Sequence, residues 1–164
     1  MPRHLLFAAA ALCAASAWAQ PAAAPVEAHV PWARPTVQGQ GAGGVYVTLL
    51  AREPLTLVGG SSPAAASVEI HEMRLEGDVM RMRALESLAL QPGKPLQLKP
   101  GGLHLMLQGL KAPLQANTSI PLTLAFRSAN GQVRQLALQV PVAVAAPKEA
   151  AAGHAGHAAP AHKH

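Results

Sequence analysis

Beyond its first twenty residues, this chain never strings its apolar residues together long enough, or with the period needed, to build a helix. They come in short bursts, each cut off by Gly, Pro, Asn or Ser. The bursts are Gly44 to Leu50, Leu55 to Gly59, Ser67 to Met73, Val79 to Leu85, Pro95 to Lys99, Leu103 to Leu107, Ile120 to Arg127 and Val133 to Val142. Between them lie Gly59-Gly60, Gly77-Asp78, Pro92-Gly93, Pro100-Gly101-Gly102 and Asn130-Gly131. Asn-Gly between two apolar runs is a hairpin signal, because the tight turn needs positive φ. Short strands at this spacing predict an all-β domain, a sandwich or small Greek-key barrel. With few aromatic residues, its core must be mainly Leu and Val.

The rest of the 164 residues reads as appendages to one domain. Residues 1–19 have the form of a signal peptide. Arg3 and His4 precede the apolar run Leu5 to Ala15, and Ala17-Trp18-Ala19 fits a small-x-small cleavage pattern that leaves Gln20 first. The run is too short to anchor the chain in a bilayer, so export to the periplasm is expected without a membrane span. Leu12 before Cys13 fits a lipidation signal poorly. Residues 20–25 read as an Ala/Pro linker, 26–144 as the folded domain and 145–164 as a tail rich in Ala, Gly, Lys and His. Linker and tail lack the large apolar residues that would offset the entropy of ordering, and are expected to be disordered. The net charge of +5 is spread without a basic block, which argues against a nucleic-acid partner.

Cys13 is the one cysteine, and it would leave with the leader. The mature chain then has no disulfide, no thiol nucleophile and no thiolate for a metal. Any soft-metal site must use thioether or imidazole. Strand alternation shows where such groups gather. In Leu103-His104-Leu105-Met106-Leu107 the leucines share the core face, so His104 and Met106 share the other. In Val68 to Met73, Val68 and Ile70 are core residues, and Glu69, His71 and Met73 lie opposite. Met80 and Met82 share a face with Arg81 and Arg83 behind them; taken alone, that strand would turn its methionines inward. Methionine is a common core filler, and a lone strand histidine needs no special role. The gathering of both types into two short stretches is what suggests a metal. Neutral thioether and imidazole suit Cu(I) and leave a site that can release its ion; Ca²⁺ and Mg²⁺ would not choose them, and Zn²⁺ gains little from thioether.

At these residues the chain resembles the periplasmic copper chaperones called PCu(A)C. That family's pattern is His, ten residues, Met, twenty-one residues, His, one residue, Met, and His71, Met82, His104 and Met106 match it without a gap. The flanking words Val68 to Met73, Gly77 to Arg83 and Pro100 to Leu107 match too, as do Trp32-Ala33-Arg34-Pro35 and Tyr46-Val47-Thr48-Leu49 upstream. The resemblance implies a cupredoxin-like fold. It also implies a surface-exposed Cu(I) site made by His71, Met82, His104 and Met106, which would take Met82 out of the core. It implies delivery of copper to the CuA or CuB centre of cytochrome oxidase, alongside a thioredoxin-like Sco protein. Departures are the short segment Leu50 to Pro54, Leu103 where an aromatic is common, and Ala116 to Ser119 without the usual turn glycine. None is a ligand.

In the tail, His154, His157, His162 and His164 could take Cu(II), which favours imidazole; the competing reading is a solvated segment with no dedicated role. Glu69, Glu72, Arg81 and Arg83 read as solvated flanks of the site, or else as groups that steer a partner. Catalysis is not expected. A blue-copper centre needs a thiolate, a histidine brace needs an N-terminal His, and a hydrolytic zinc site would need Glu69 or Glu72 as a third ligand. A copper buffer without a delivery partner is the alternative to a carrier, and it would use the same ligands. An adhesion or ligand-binding module would bind no copper.

Overall fold

The structure, a computed structural model, describes residues 23–147. The expected leader and nearly all of the histidine tail, including its four histidines, lie outside the described residues. Ten strands follow in chain order: β1 (Val26–Ala33), β2 (Ala42–Ala51), β3 (Leu55–Ser61), β4 (Ser67–Glu76), β5 (Val79–Leu85), β6 (Leu88–Leu90), β7 (Leu96–Leu98), β8 (Leu103–Gln108), β9 (Ser119–Ser128) and β10 (Val133–Pro141). There is no helix among the described residues, and so none that could cross a membrane.

The strands join in the order β1-β2-β8-β4-β3-β9-β10, with β5 paired to β4, β6 to β3 and β7 to β2. The two end strands approach each other through an Ala33–Val142 bridge and an Ala143 N–H donated to the Ala33 carbonyl at 2.9 Å. The sheet is thus a nearly closed all-β barrel with the expected cupredoxin-like crossovers. One expectation fails at its edge. Ala23 and Ala24 are not free linker: Ala23 bridges Gln135, and the Ala24 N–H donates to the Gln135 carbonyl at 2.8 Å. The open edge of β10 offers unpaired backbone groups, and a small side chain can sit there.

The core is as aliphatic as the composition requires. Val45, Val47 and Leu49 point inward from β2, Leu55 and Leu57 from β3, Ile70 from β4, Leu105 and Leu107 from β8, and Leu122, Leu124 and Phe126 from β9. Each such side chain contributes roughly 1.5–3 kcal/mol of burial. Gly131 takes φ +81° in the β9–β10 hairpin. In the glycine-less turn before β9, Asn117 takes φ +64° instead, a conformation that asparagine tolerates better than most residues. Two strands escaped the sequence reading. The polar and Pro-containing stretch Val26–Ala33 hides the apolar alternation of β1, and β6 is too short to show a period.

Candidate metal centre

The sheet register brings the two site histidines face to face. β4 and β8 run antiparallel with His71 opposite His104 and Glu69 opposite Met106. Ile70, Leu105 and Leu107 fill the barrel, so His71, His104 and Met106 stand on its outer face. The imidazole centroids are 5.8 Å apart, with planes tilted by 59°.

An outer face is expected to be wet, yet His71 is only 6% exposed and His104 5%. This corrects the reading of both as surface residues. The cover is a second, small cluster outside the main core. Trp32 and Tyr46 are buried and stack at 4.7 Å, and Tyr46 lies 6.4 Å from the His104 ring. Trp32 reaches this position through a bulge. The β1–β2 register shifts between His29 and Trp32, so that Trp32 faces Tyr46, and Val30 within the bulge takes φ +49°. That conformation is strained for a β-branched residue. Gly44 completes the wall: a Cβ there would sit 2.6 Å from the Tyr46 hydroxyl oxygen. The tyrosine therefore lies over Gly44, whose register partner is Met106.

Each imidazole has one nitrogen tied by the protein. His71 Nε2 is 2.8 Å from Glu69 Oε2, which fits an N–H donating to the carboxylate. His71 Nδ1 is then the lone-pair nitrogen, and it is buried with no partner at all. His104 Nδ1 donates to the Gly102 carbonyl at 3.0 Å, leaving Nε2 as its lone-pair nitrogen. A buried polar atom without a partner costs roughly 1–3 kcal/mol. A metal ion on His71 Nδ1 would remove that cost. A ligand imidazole whose second nitrogen donates to a carboxylate or carbonyl is the usual outer-shell arrangement of metal sites.

Two thioethers stand near the imidazoles. Met106 is half-buried on β8. Met82 lies on β5, opposite Met73, while His71 faces Ala84. Directly paired residues share a face, so Met82 stands on the histidine face, one diagonal step from His71. It is 49% exposed. This settles where the methionine strand points, which alternation alone left open. Apart from half-buried Leu85, β5 is exposed along its whole length, and there is no core beneath it for methionines to fill. Among the described residues, no group of three or more His, Cys, Asp or Glu is placed to hold a metal. Glu72, a candidate third ligand for a hydrolytic zinc, faces away and pairs with Arg83 at 2.8 Å. The further side-chain donors on this face are thioethers.

Sequence reading alone missed several parts of this site. Glu69 reads as a solvated flank although alternation puts it beside His71; its carboxylate fixes the ring. Trp32, Tyr46 and Gly44 carry no ligand chemistry, and nothing local signals that they wall the histidines. The register between β1, β2 and β8 is what brings them there.

Three comparisons bear on the chain. A family model described as "Putative lipoprotein LpqE-like" matches residues 26–142. A Leifsonia xyli protein named "Putative lipoprotein Lxx21020" is 42% identical over 71 residues, 43% of this chain and 43% of its own length. The chain thus spans under half of that relative. Among solved structures, a copper-bound PCuAC domain from PmoF2 superposes with a TM-score of 0.58 at 21% identity, covering 77% of this chain and 97% of that domain. The solution structure of apo-DR1885 from Deinococcus radiodurans superposes with a TM-score of 0.52 at 28% identity, covering 88% of this chain and 95% of its own.

Proposed function

This chain belongs to the LpqE-like family, and from that membership and the site's donor set we propose that it is an exported copper carrier. It binds one Cu(I) through His71, His104, Met106 and Met82. The observation that carries this reading is the pair of facing, buried imidazoles, each with one nitrogen tied and the other free. His71 Nδ1 is left without any partner. Two neutral nitrogens and two thioethers make a soft, uncharged donor set, which selects Cu(I) over Zn²⁺, Mg²⁺ and Ca²⁺. The copper-bound state of a domain with this fold supports the choice of metal.

Release is part of the proposal. His71 and His104 are fixed in the barrel wall, whereas Met82 stands on an exposed strand. A partner's ligands can approach from that side while the histidines still hold the ion. This open edge favours a carrier over a closed storage site. Resemblance to the PCu(A)C chaperones names the recipient: the copper-centre subunit of cytochrome oxidase, with a Sco-like protein acting beside it in the periplasm. The tail histidines His154, His157, His162 and His164 are a separate proposal, a Cu(II) collecting segment. The role is binding and handover, with no catalysis.

The test is a Cu(I) titration of the mature protein against a competing chelator under reducing conditions. One tightly held equivalent, lost when His71 or His104 is replaced, is the expected result; no competition with the chelator overturns the reading. Transfer to an apo oxidase copper subunit then separates carrier from buffer. Removing residues 150–164 should lower Cu(II) stoichiometry and leave Cu(I) binding intact.

A further inference from the structure

Of the methionines outside the four-ligand set, Met73 is half-buried on β4 and Met80 is exposed on β5, with no core beneath it. Besides Met1, the chain contains Met73, Met80, Met82 and Met106. β4 leaves the barrel wall after Glu72, its last residue paired to β8, and a Met73 N–H donated to the Gly102 carbonyl at 3.1 Å is the next tie. From there β4 and β5 form a two-stranded ribbon closed by a turn at Gly77, φ +63°.

The ribbon has two unlike faces. One is charged: Glu72 pairs with Arg83 at 2.8 Å and Glu76 with Arg81 at 3.2 Å. The other carries Met73, Leu75, Met80 and Met82, with Leu75 63% and Met80 47% exposed. Methionine is common as a gap-filler in cores, and this strand has no core. Met73 is paired directly with Met82, and Met80 with Leu75. Direct partners lie about 4.5–5.5 Å apart at Cβ, and diagonal neighbours such as Met73 and Met80 about 7–8 Å. Three thioethers therefore share one small patch.

Distance separates this patch from the histidine site. Met73 and Met82 are two residues along the strands from the His71–Ala84 pair, about 6.6 Å at a strand's rise, and Met80 is four residues away, about 13 Å. An ion held by His71 is within reach of Met82 or Met73, but not of Met80.

We propose that Met73, Met80 and Met82 form a second, outward Cu(I) position on the ribbon, with Met82 shared between it and the histidine site. This rests on the Cu(I) reading above. The ion stays Cu(I) in both positions: Cu–S bonds to Met73 and Met80 form as the Cu–N and Cu–S bonds to His71, His104 and Met106 break, and neutral ligands require no proton to move. The outward position would be the one a recipient meets first.

The test uses the full mature chain with its methionine methyl groups ¹³C-labelled, titrated with Cu(I) under reducing conditions. Only thioethers report, so copper on the histidine tail is silent. The first equivalent should move the Met82 and Met106 methyl resonances. The second should move Met73 and Met80, and Met82 again. In the Met73→Leu/Met80→Leu double variant, the first equivalent should bind within about threefold of wild type and Met82 should move only once. If Met73 and Met80 stay still past two equivalents while Met82 and Met106 move, the outward position does not exist and the histidine site stands. Movement of Met73 with the first equivalent in place of Met82 overturns both assignments. If no methyl moves, the Cu(I) reading itself fails.

Discussion

The two halves of β4 live in different surroundings. Its first half lies in the barrel wall, paired to β8 across Ser67 to Glu72, and there His71 is buried against His104 and tied to Glu69. Its second half leaves the wall and pairs with β5 alone, and there the thioethers of Met80 and Met82 meet water. One strand thus supplies a rigid nitrogen platform at one end and an adaptable sulfur edge at the other. In the proposed carrier this difference would divide the work: fixed imidazoles would set which ion is chosen, and a loosely held thioether how readily it leaves.

Removing the platform should do the most damage. His71→Ala deletes a buried ring from the wall but also removes its unpartnered Nδ1, so the net cost in fold stability should be about 0.5–3 kcal/mol. It should also weaken Cu(I) binding by more than the roughly 10–100-fold that loss of an outer-shell partner costs. Thermal melts of the apo and copper-loaded protein measure both. An unchanged apo melting temperature would mean that the histidine end is as soft as the methionine end. Glu69→Gln comes next. It retains a hydrogen-bond acceptor but removes the carboxylate charge, so the fold should stay intact while affinity falls by roughly 10–100-fold, read by chelator competition. A Glu69→Gln variant with native affinity would show that the carboxylate does not orient the ring.

The contrast between the halves also explains what a sequence reader can and cannot see. The all-β class was legible because each burst of Leu and Val ends at a turn residue, and the outward placement of His71, His104 and Met106 followed from period-two alternation alone. Burial of those histidines was not legible. It depends on Trp32 and Tyr46 arriving from strands far away in sequence, and on a bulge at Val30 that no local pattern announces. Met82 was left open by alternation for a different reason. Alternation assigns a face but cannot tell whether a core lies beneath it, and under β5 there is none. Glu69 was legible in position but not in role, because only its 2.8 Å approach to His71 Nε2 distinguishes a ring anchor from a solvated carboxylate.

A smaller effect is expected at the boundary between the halves. Met106 is half-buried on the barrel wall beside the histidines, opposite Glu69. Met106→Leu conserves volume, so stability should change by less than about 1.5 kcal/mol. Loss of the thioether should weaken Cu(I) binding by about tenfold, equivalent to about 1.4 kcal/mol. Equal affinity in the variant and the wild type would remove Met106 from the ligand set.

The smallest equilibrium effect should come from the exposed edge, where Met82→Leu tests the division of labour most directly. The side chain is 49% exposed and contacts no core, so the change in stability should stay within about 0.5 kcal/mol. Binding should weaken less than in Met106→Leu, because a thioether on a free ribbon gives up more side-chain freedom when it coordinates. Kinetics should move in the other direction. If Met82 closes the open side of the site, its removal leaves three ligands and a permanent approach path, and Cu(I) should leave for a competing chelator faster than from either wild type or Met106→Leu. Stopped-flow transfer to the chelator measures this. A Met82→Leu protein that releases copper no faster than wild type would mean that the ribbon does not gate the site, and that the histidine platform alone governs both choice and release.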